Sequence, residues 1–454
     1  METRTLEGGE QGGHSRSTLV RVVRGAASDG PRTPWWTPYL ISIALGVVAI
    51  ALWGYSIAFV VDRWDGDSAC CREDVVAYFA AGQLLRDGRS ADMYDAEATA
   101  KAEEAILGRP AGKFGGLVYM NPPLVAGMFV PLTYLPYGKA QAVWFAIGTL
   151  AIMASLLLLW PELRKLQRRW AVVFVLAALA SFPVSWSLSY GQVSPLILLS
   201  WVLFYRMLKD GHEMPAGLAL ALCLIKPHLA LVPALYLLAT RRWLALGAFV
   251  AGFAALVGVS VALVGSDVMF GAYPRFLLGS LKWQDEYGVD RDHMFGWLSF
   301  LQMVIPGMSR TTLLAVTGVA SVLTLGAAAY VWLCERRLET AAPLLAAASA
   351  TILISPHLHT QDLQILILPA VLLVAHRRDV SAIVIPALLF FVMPIAIGIN
   401  LATPYLALTL LVLAARAAGL RFDTALASVG LRRILQPVPL ALPGPVRSAT
   451  ETQR

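Results

Sequence analysis

Charged side chains are scarce in this sequence. Only 14% of the 454 residues are Asp, Glu, Lys or Arg, and 57% are hydrophobic, whereas about 25% charged residues are usual for a soluble domain. The alternating pattern of barrel strands is also absent. Because only helices and closed barrels satisfy their backbone hydrogen bonds in lipid, we expect an all-α polytopic membrane protein.

Other common signatures are missing as well. There is no P-loop and no Rossmann fingerprint, so a nucleotide-binding domain is not expected. The four cysteines, Cys70, Cys71, Cys223 and Cys334, lack metal-ligand spacing, and the adjacent pair is poorly placed to form a disulfide with itself. The net charge of +7 comes from short loops and the two tails. This distribution indicates membrane topology rather than nucleic-acid binding.

Long apolar segments take up most of the chain. The first, 37–61, is too long for a signal-peptide core, so we expect it to remain as an anchor, with 1–36 as a disordered cytoplasmic tail. Several later segments are shorter than the roughly 20 residues that a span needs. The later apolar segments, short and long together, are 138–160, 170–189, 192–208, 215–225, 228–240, 243–265, 311–334, 341–355, 362–375, 380–399 and 402–416.

The placement of Lys and Arg sets the predicted number of spans. All five basic loops fall on one side of the membrane if 215–240 and 341–375 are each a hairpin of two short helices. These loops contain Arg164, Lys165, Arg168 and Arg169; Arg206 and Lys209; Arg241 and Arg242; Arg336 and Arg337; and Arg377 and Arg378. Basic loops are typically cytoplasmic. The pattern therefore predicts about 12 transmembrane helices in a domain of residues 37–419, with both ends cytoplasmic and 420–454 as a disordered tail.

The longest polar interruption, 61–123, holds 11 of the 29 acidic residues. In this topology it lies outside, and we expect an extracytoplasmic cap over 61–136 that contains an amphipathic helix. The long loop 266–308 shares this face. The short hairpin arms should place their tips, 224–229 and 355–362, in a cavity below the outer lipid surface, because 11 to 15 helical residues cover only about 16–22 Å.

Asp74 stands at the start of the amphipathic segment in the cap. A helix N-terminus favours an ionised carboxylate. The residue could simply cap the helix. Alternatively, it could act as a general base that points into the cavity.

Lys226 is a cation inside an apolar hairpin, next to His228. Charges at membrane depth are costly and usually face a polar cavity or a partner. This lysine could extend its amine to the membrane surface as a structural residue, or it could bind a phosphate. Arg275, in the outer loop, is a second candidate for the phosphate.

His357, His359 and Asp362 lie in the second hairpin tip. Two histidines and an aspartate could bind a divalent metal, but no further strong set of ligands accompanies them. Hydrogen bonding to a phosphate or a sugar is the favoured interpretation.

Tyr119 and Asn121 form a rigid turn with the prolines that follow them, and Gln192 supplies an amide after Gly191. The turn at 119–123 could be a plain helix breaker, and the turn at 190–192 could be structural. Otherwise, both sets of side chains bind substrate.

Five motifs in order resemble one known family. They are DVVAYFAAGQLLRDG…MYD, YMNPPLVAGMFVPLTYLP, YGQVSPLILL, AGLALALCLIKPHLALVPALYLLATRRW and SPHLHTQDLQILILP. Together, over about residues 40–400, they resemble glycosyltransferase family 87, the polyprenyl-phosphate-mannose-dependent mannosyltransferases of actinobacterial type. The segment around Cys70 and the chain after residue 420 do not share this resemblance.

The resemblance implies a GT-C membrane fold and an enzyme of the plasma membrane with its active site on the extracytoplasmic face. Mannose is the expected sugar, and arabinofuranose is also used in the family. The acceptor would be a glycolipid or a polysaccharide. Asp74 matches the family's catalytic aspartate. No cofactor is expected, because the lipid-linked sugar is a co-substrate with its own leaving group, although a divalent metal stays open.

The residues and the resemblance predict one inverting step. Asp74 would take the proton of the acceptor hydroxyl as its oxygen attacks the anomeric carbon. Lys226, with Arg275 or His357, would stabilise the phosphate. A transporter or flippase of an anionic or lipid-linked substrate is the alternative, since broken helices with charges at membrane depth are typical of both classes.

Overall fold

The computed structural model describes residues 36–61, 74–108, 117–166, 168–280, 294–335, 341–377 and 402–418. Four sequence features lie outside this part of the chain: nearly all of both predicted tails, the Cys70–Cys71 pair, and the apolar segment 380–399. The predicted boundaries of the tails, membrane domain and cap therefore stay predictions.

The described residues are helical, and the only extended pairing among them is an isolated antiparallel bridge between Met294 and His359. The predicted all-α class is confirmed. The α-helices are α1 (Thr37–Val61), α2 (Asp74–Arg86), α3 (Ala96–Leu107), α4 (Pro123–Phe129), α5 (Tyr137–Leu163), α6 (Arg168–Leu179), α7 (Phe182–Ser189), α8 (Ser194–Lys209), α9 (Glu213–Ala221), α10 (His228–Ala239), α11 (Trp243–Val264), α12 (Tyr273–Ser280), α13 (Trp297–Val304), α14 (Arg310–Cys334), α15 (Ala342–Ile354), α16 (Ile367–Arg377) and α17 (Ala402–Ala417).

Four of these helices, α1, α5, α11 and α14, are long and apolar enough to cross a membrane. The predicted segment 170–189 is broken instead into α6 and α7, which are bent by 42° and would count as a fifth span if taken together. The break has a local cause, because Pro183 in the first turn of α7 cannot supply a hydrogen bond to a continuing helix. The chain is thus a multi-pass membrane protein, and the count of about 12 spans stays a prediction.

Helix α2 differs from the predicted surface helix. Side chains from Val75 to Ala81 are all buried, so the helix has no exposed polar face along this stretch. Helix α3 packs against it on one side, and α4 with its 3₁₀ extension Val130–Tyr134 packs on another. Gly82 permits this close approach, since a Cβ there would lie 3.0 Å from Cβ of Phe129.

Residues 215–240 contain two short helices with a break between them, as the sequence predicts. Helix α9 tightens into the 3₁₀ turn Leu222–Ile225, and α10 begins at His228 after Lys226 and Pro227. Helix α9 also lies directly against α11. At Gly217 an added Cβ would stand 2.0 Å from the carbonyl oxygen of Ala245, so only glycine fits there.

The described parts of the second hairpin and of the outer loop contain more helix than their sequences predict. Helix α15 ends at Ile354, and a 3₁₀ helix, Thr360–Leu366, leads into α16. Within the predicted loop 266–308, a π-helical turn at Val268–Ala272 continues into α12, and α13 follows later. The backbone amide of Phe295 donates to the carbonyl of Leu358 at 2.8 Å, which joins this region to the second hairpin tip.

One buried carboxylate connects the far ends of α5 and α8. Glu162 is fully buried, and it accepts hydrogen bonds from Lys165 at 2.6 Å, from the hydroxyl of Tyr205 at 2.9 Å and from Lys209. Arg206 lies 3.7 Å from the same carboxylate. A single negative charge therefore holds three cations at this end of the helices.

Candidate functional site

A cavity of about 340 Å³ lies where the turns between helices meet. Its walls come from the start of α2, the segment 117–122, the break before α10, part of α12 and the second hairpin tip. Apolar side chains make up one part of the lining, among them Leu117, Met120 and Leu277. The polar lining consists of Asp74, Tyr78, Asn121, Gln192, Lys226, His228, Tyr273, Ser280, His357, His359 and Gln361.

Asp74 is the carboxylate that lines this cavity. Its Oδ2 accepts a hydrogen bond from Nε2 of Gln192, and Oε1 of Gln192 accepts one from the hydroxyl of Tyr78 at 3.0 Å. Burial raises the pKa of Asp74 to about 6, against the opposing effects of the Gln192 hydrogen bond and the Lys226 charge. The carboxylate is therefore largely ionised at neutral pH and basic enough to accept a proton.

A glycine turn fixes Gln192 beside Asp74. Gly191 has φ +64°, and a Cβ there would lie 2.6 Å from Cβ of Val75. The carbonyl of Tyr190 accepts from the amide of Val75 at 3.1 Å, and the indole of Trp144 donates to the carbonyl of Gly191 at 2.7 Å. The left-handed conformation and the close contact both require glycine at this position.

Lys226 reaches the cavity from the break between α9 and α10. Its Nζ donates to Oδ1 of Asp362 at 2.7 Å and to Oγ of Ser194 at 3.3 Å. Ser194 in turn donates to the same Asp362 oxygen at 2.6 Å. The cation is thus held by a buried carboxylate that is itself absent from the cavity lining.

Three histidines complete the polar wall. Nε2 of His228 is buried and has no hydrogen-bond partner within the described residues. The rings of His357 and His359 stand nearly perpendicular to each other with centroids 4.8 Å apart. Buried polar atoms in proteins usually have a hydrogen-bond partner, so Nε2 of His228 can accept or donate a bond to a group that enters the cavity.

The described residues contain no group of three His, Cys, Asp or Glu side chains that could hold a metal ion. Asp362, one of the three residues that the sequence suggests as metal ligands, contacts Lys226, Ser194 and the backbone amide of His359, the last at 3.4 Å.

The sequence model of glycosyltransferase family 87 matches residues 119–356, more than half of the chain. The chain belongs to glycosyltransferase family 87. The matched region contains Asn121, Gln192, Lys226 and His228. Asp74 and the second hairpin tip from His357 onward lie outside it.

Two relatives in this family are similar over about a third of the chain. The polyprenol-phosphate-mannose-dependent α-(1-2)-phosphatidylinositol pentamannoside mannosyltransferase of Mycolicibacterium smegmatis is 30% identical over 153 residues, 33% of this chain and 36% of the relative. The α-(1→3)-arabinofuranosyltransferase of Mycobacterium tuberculosis is 36% identical over 137 residues, 29% of this chain and 31% of the relative. The matches thus cover about a third of each relative's own length. No solved structure matches the chain.

Most of the residues expected to bind substrate do meet at this family 87 cavity. Asp74, Asn121, Gln192, Lys226, His228, His357 and His359 all line it. Asn121 also has a structural contact, since its Nδ2 donates to the carbonyl of Ile225 at 2.8 Å. The expected grouping of the polar motifs around Asp74 is thereby observed.

Three of the expected substrate ligands are placed elsewhere. The hydroxyl of Tyr119 is buried between the carbonyl of Pro122 and the amide of Ala126, so it stabilises the turn. Arg275 is exposed and donates to the carbonyl of Gly271. Asp362 is the buried partner of Lys226.

Tyr78 and Ser194 contact residues of the site, although the sequence-based prediction does not name them as site residues. Tyr78 lies one helical turn after Asp74 and therefore on the same face of α2, a spacing that could have singled it out. Ser194 opens α8, and its contact with Asp362 joins residues that are far apart in the chain. No local sequence pattern indicates the contact between Ser194 and Asp362.

Proposed function

We propose that this family 87 membrane glycosyltransferase transfers mannose from a polyprenyl-phosphate donor to a glycolipid or polysaccharide acceptor. The observation that carries the proposal is one cavity lined by both the Asp74 carboxylate and the Lys226 ammonium group. The M. smegmatis relative is a polyprenol-phosphate-mannose-dependent mannosyltransferase, which supports the same donor class here. The M. tuberculosis relative is an arabinofuranosyltransferase, which makes arabinofuranose the alternative sugar.

Asp74 acts as the general base in this proposal. Its carboxylate takes the proton from an acceptor hydroxyl while that oxygen forms a bond to the anomeric carbon. The bond from the anomeric carbon to the phosphate oxygen breaks in the same step, and the configuration inverts. The hydrogen bond from Gln192 keeps the carboxylate in place.

Lys226 and the histidines receive the leaving group. The departing polyprenyl phosphate takes up negative charge, and fixed donors aimed at that charge stabilise the transition state. Lys226 supplies the positive charge, and His357 and His359 stand on the same wall. The unpaired Nε2 of His228 is a further contact for the phosphate or the sugar. The apolar part of the lining suits the first isoprene units.

The proposal is tested by incubating membranes that contain the protein with radiolabelled polyprenyl-phosphate mannose, and in parallel with the arabinofuranose donor. We expect label from the mannose donor in a lipid-extractable or polymeric product, and none in membranes that lack the protein. Transfer only from the arabinofuranose donor would show that the transferred sugar is arabinofuranose and not mannose. Movement of either donor across the membrane without transfer would support a flippase instead.

The pH profile should report the ionisation of Asp74. The base acts only when deprotonated, and burial raises its pKa to about 6. We therefore expect kcat/KM to rise with pH, to level off above neutrality and to be about tenfold lower at about pH 5 than on the plateau. Initial rates in a constant-ionic-strength buffer series measure this. A flat profile from about pH 5 to 7 would contradict the assignment.

We place the site on the extracytoplasmic face of the plasma membrane, as the Lys and Arg pattern favours. An impermeant thiol reagent should label Lys101→Cys in intact cells and Asp210→Cys only after permeabilisation, because the two residues lie on opposite sides in this topology. Both native positions are exposed. The background carries serine at Cys70, Cys71 and Cys334. Labelling of Asp210→Cys in intact cells would reverse the orientation.

A further inference from the structure

Lys226 is held on two sides by residues that have no place in the cavity lining. Oδ1 of Asp362 and Oγ of Ser194 both lie within hydrogen-bond distance of Nζ, at 2.7 Å and 3.3 Å. The side chain of Asp362 is 2% exposed. An ammonium group has three N–H donors, so two are directed to these partners and the third is left for the cavity.

The three residues come from three separate segments. Ser194 opens α8, Lys226 stands in the break before α10, and Asp362 lies in the 3₁₀ helix after the second hairpin tip. The hydroxyl of Ser194 also donates to Asp362 at 2.6 Å. The two side chains therefore form one connected hydrogen-bond network around the Lys226 ammonium group, rather than two independent contacts.

Asp362 also contacts the backbone of His359, which lines the cavity. Its Oδ2 accepts from the backbone amide of His359 at 3.4 Å, and its own amide donates to the carbonyl of His359 at 3.0 Å. One buried carboxylate therefore sets the positions of Lys226 and of the backbone that carries His359.

We propose that Asp362 and Ser194 are positioning residues that hold the Lys226 ammonium in the orientation that meets the donor phosphate. A free lysine side chain loses rotamer freedom when it binds a ligand. Restraint before binding removes most of that loss from the binding step. The inference rests on the proposed function, since it assumes that Lys226 binds the donor phosphate.

The test is steady-state kinetics with a short-chain polyprenyl-phosphate mannose, with donor and acceptor varied separately. Ser194→Ala should raise the donor KM roughly threefold to tenfold, and Asp362→Asn by at least about tenfold, in proportion to the neutral and charge-assisted hydrogen bonds lost. The acceptor KM should stay unchanged in both. Ser187→Ala is the matched control, because its buried hydroxyl donates to the carbonyl of Val184 and does not contact Lys226.

The outcomes separate the possibilities. Unchanged donor KM in both variants, with an active unmodified protein, overturns the inference. An equal rise of donor and acceptor KM, together with a lower melting temperature, shows a general structural role and overturns it too. If the unmodified protein transfers no sugar from this donor, the proposed function itself fails and the inference falls with it. Ser194→Ala retains the buried ion pair, so it remains informative if Asp362→Asn does not fold.

Discussion

The Asp74→Asn protein is expected to insert, fold and bind donor, and to transfer sugar at least about 100-fold more slowly than the unmodified protein. General-base catalysis contributes on the order of 10²–10⁴-fold, and an amide cannot accept the proton of the acceptor hydroxyl. The fold should tolerate the change, because the Asn side-chain oxygen can still accept from Gln192, the contact that Asp74 makes now. Single-turnover transfer with saturating donor measures the chemical step directly.

A matched aspartate elsewhere provides the control. Asp95 is exposed, caps α3 by accepting from the amide of Ala98 at 2.8 Å, and does not line the cavity. Asn caps a helix about as well as Asp, so Asp95→Asn should transfer at a normal rate. Normal turnover in the Asp74→Asn protein would exclude Asp74 as the base, and a poorly folded Asp74→Asn protein would show that the residue is structural.

Lys226→Met is expected to destabilise the protein by about 3–5 kcal/mol, because it leaves the Asp362 carboxylate buried without its counter-charge. The pair is nearly enclosed, with side chains 12% and 2% exposed. Replacing both partners with apolar residues, as in Lys226→Met/Asp362→Leu, should recover most of the loss, since the buried charge is then gone. Denaturant or thermal unfolding of the purified protein in detergent measures each corner of this double-mutant cycle.

The double variant also separates stability from function. It should fold well and yet transfer no sugar, since the cation for the phosphate is absent. The exposed pair Lys101–Glu97, at 2.7 Å, is the control, and Lys101→Met should leave the unfolding midpoint unchanged. Additive effects at Lys226 and Asp362 would show that the two side chains are not energetically coupled.

The sequence predicts the helices well because apolar segments and their breaks are local features. Nearly every apolar segment within the described residues is helical, and the break at Lys226–Pro227 is where the sequence places it. Lys226 itself could be singled out since a charge inside an apolar hairpin is rare. Asp74 could be singled out by its position at a helix start and by the family resemblance.

The sequence does not show several side-chain contacts that the structure contains. It suggests Asp362 as a substrate ligand, and in the structure Lys226, 136 residues away, donates to its carboxylate. The polar and apolar pattern of α2 indicates a surface helix, and the packing of α3 and α4 buries it nonetheless. Tyr119 precedes two prolines and looks available to a ligand, yet its hydroxyl is used within its own turn. The partners of Asp362 and of α2 lie too far along the chain to be read from local spacing, whereas those of Tyr119 lie within seven residues of it.

The buried Glu162 has a consequence for how the chain is made. Lys165 lies three residues after Glu162 and can neutralise the carboxylate as soon as α5 leaves the ribosome. Lys209 lies 47 residues after Glu162. At about 5–20 residues per second, synthesis of that interval takes on the order of a few seconds. During this time the Glu162 carboxylate at the end of the newly inserted α5 lacks its hydrogen bonds from Tyr205 and Lys209. The order of translation therefore makes the arrival of α8 the event that completes this end of α5.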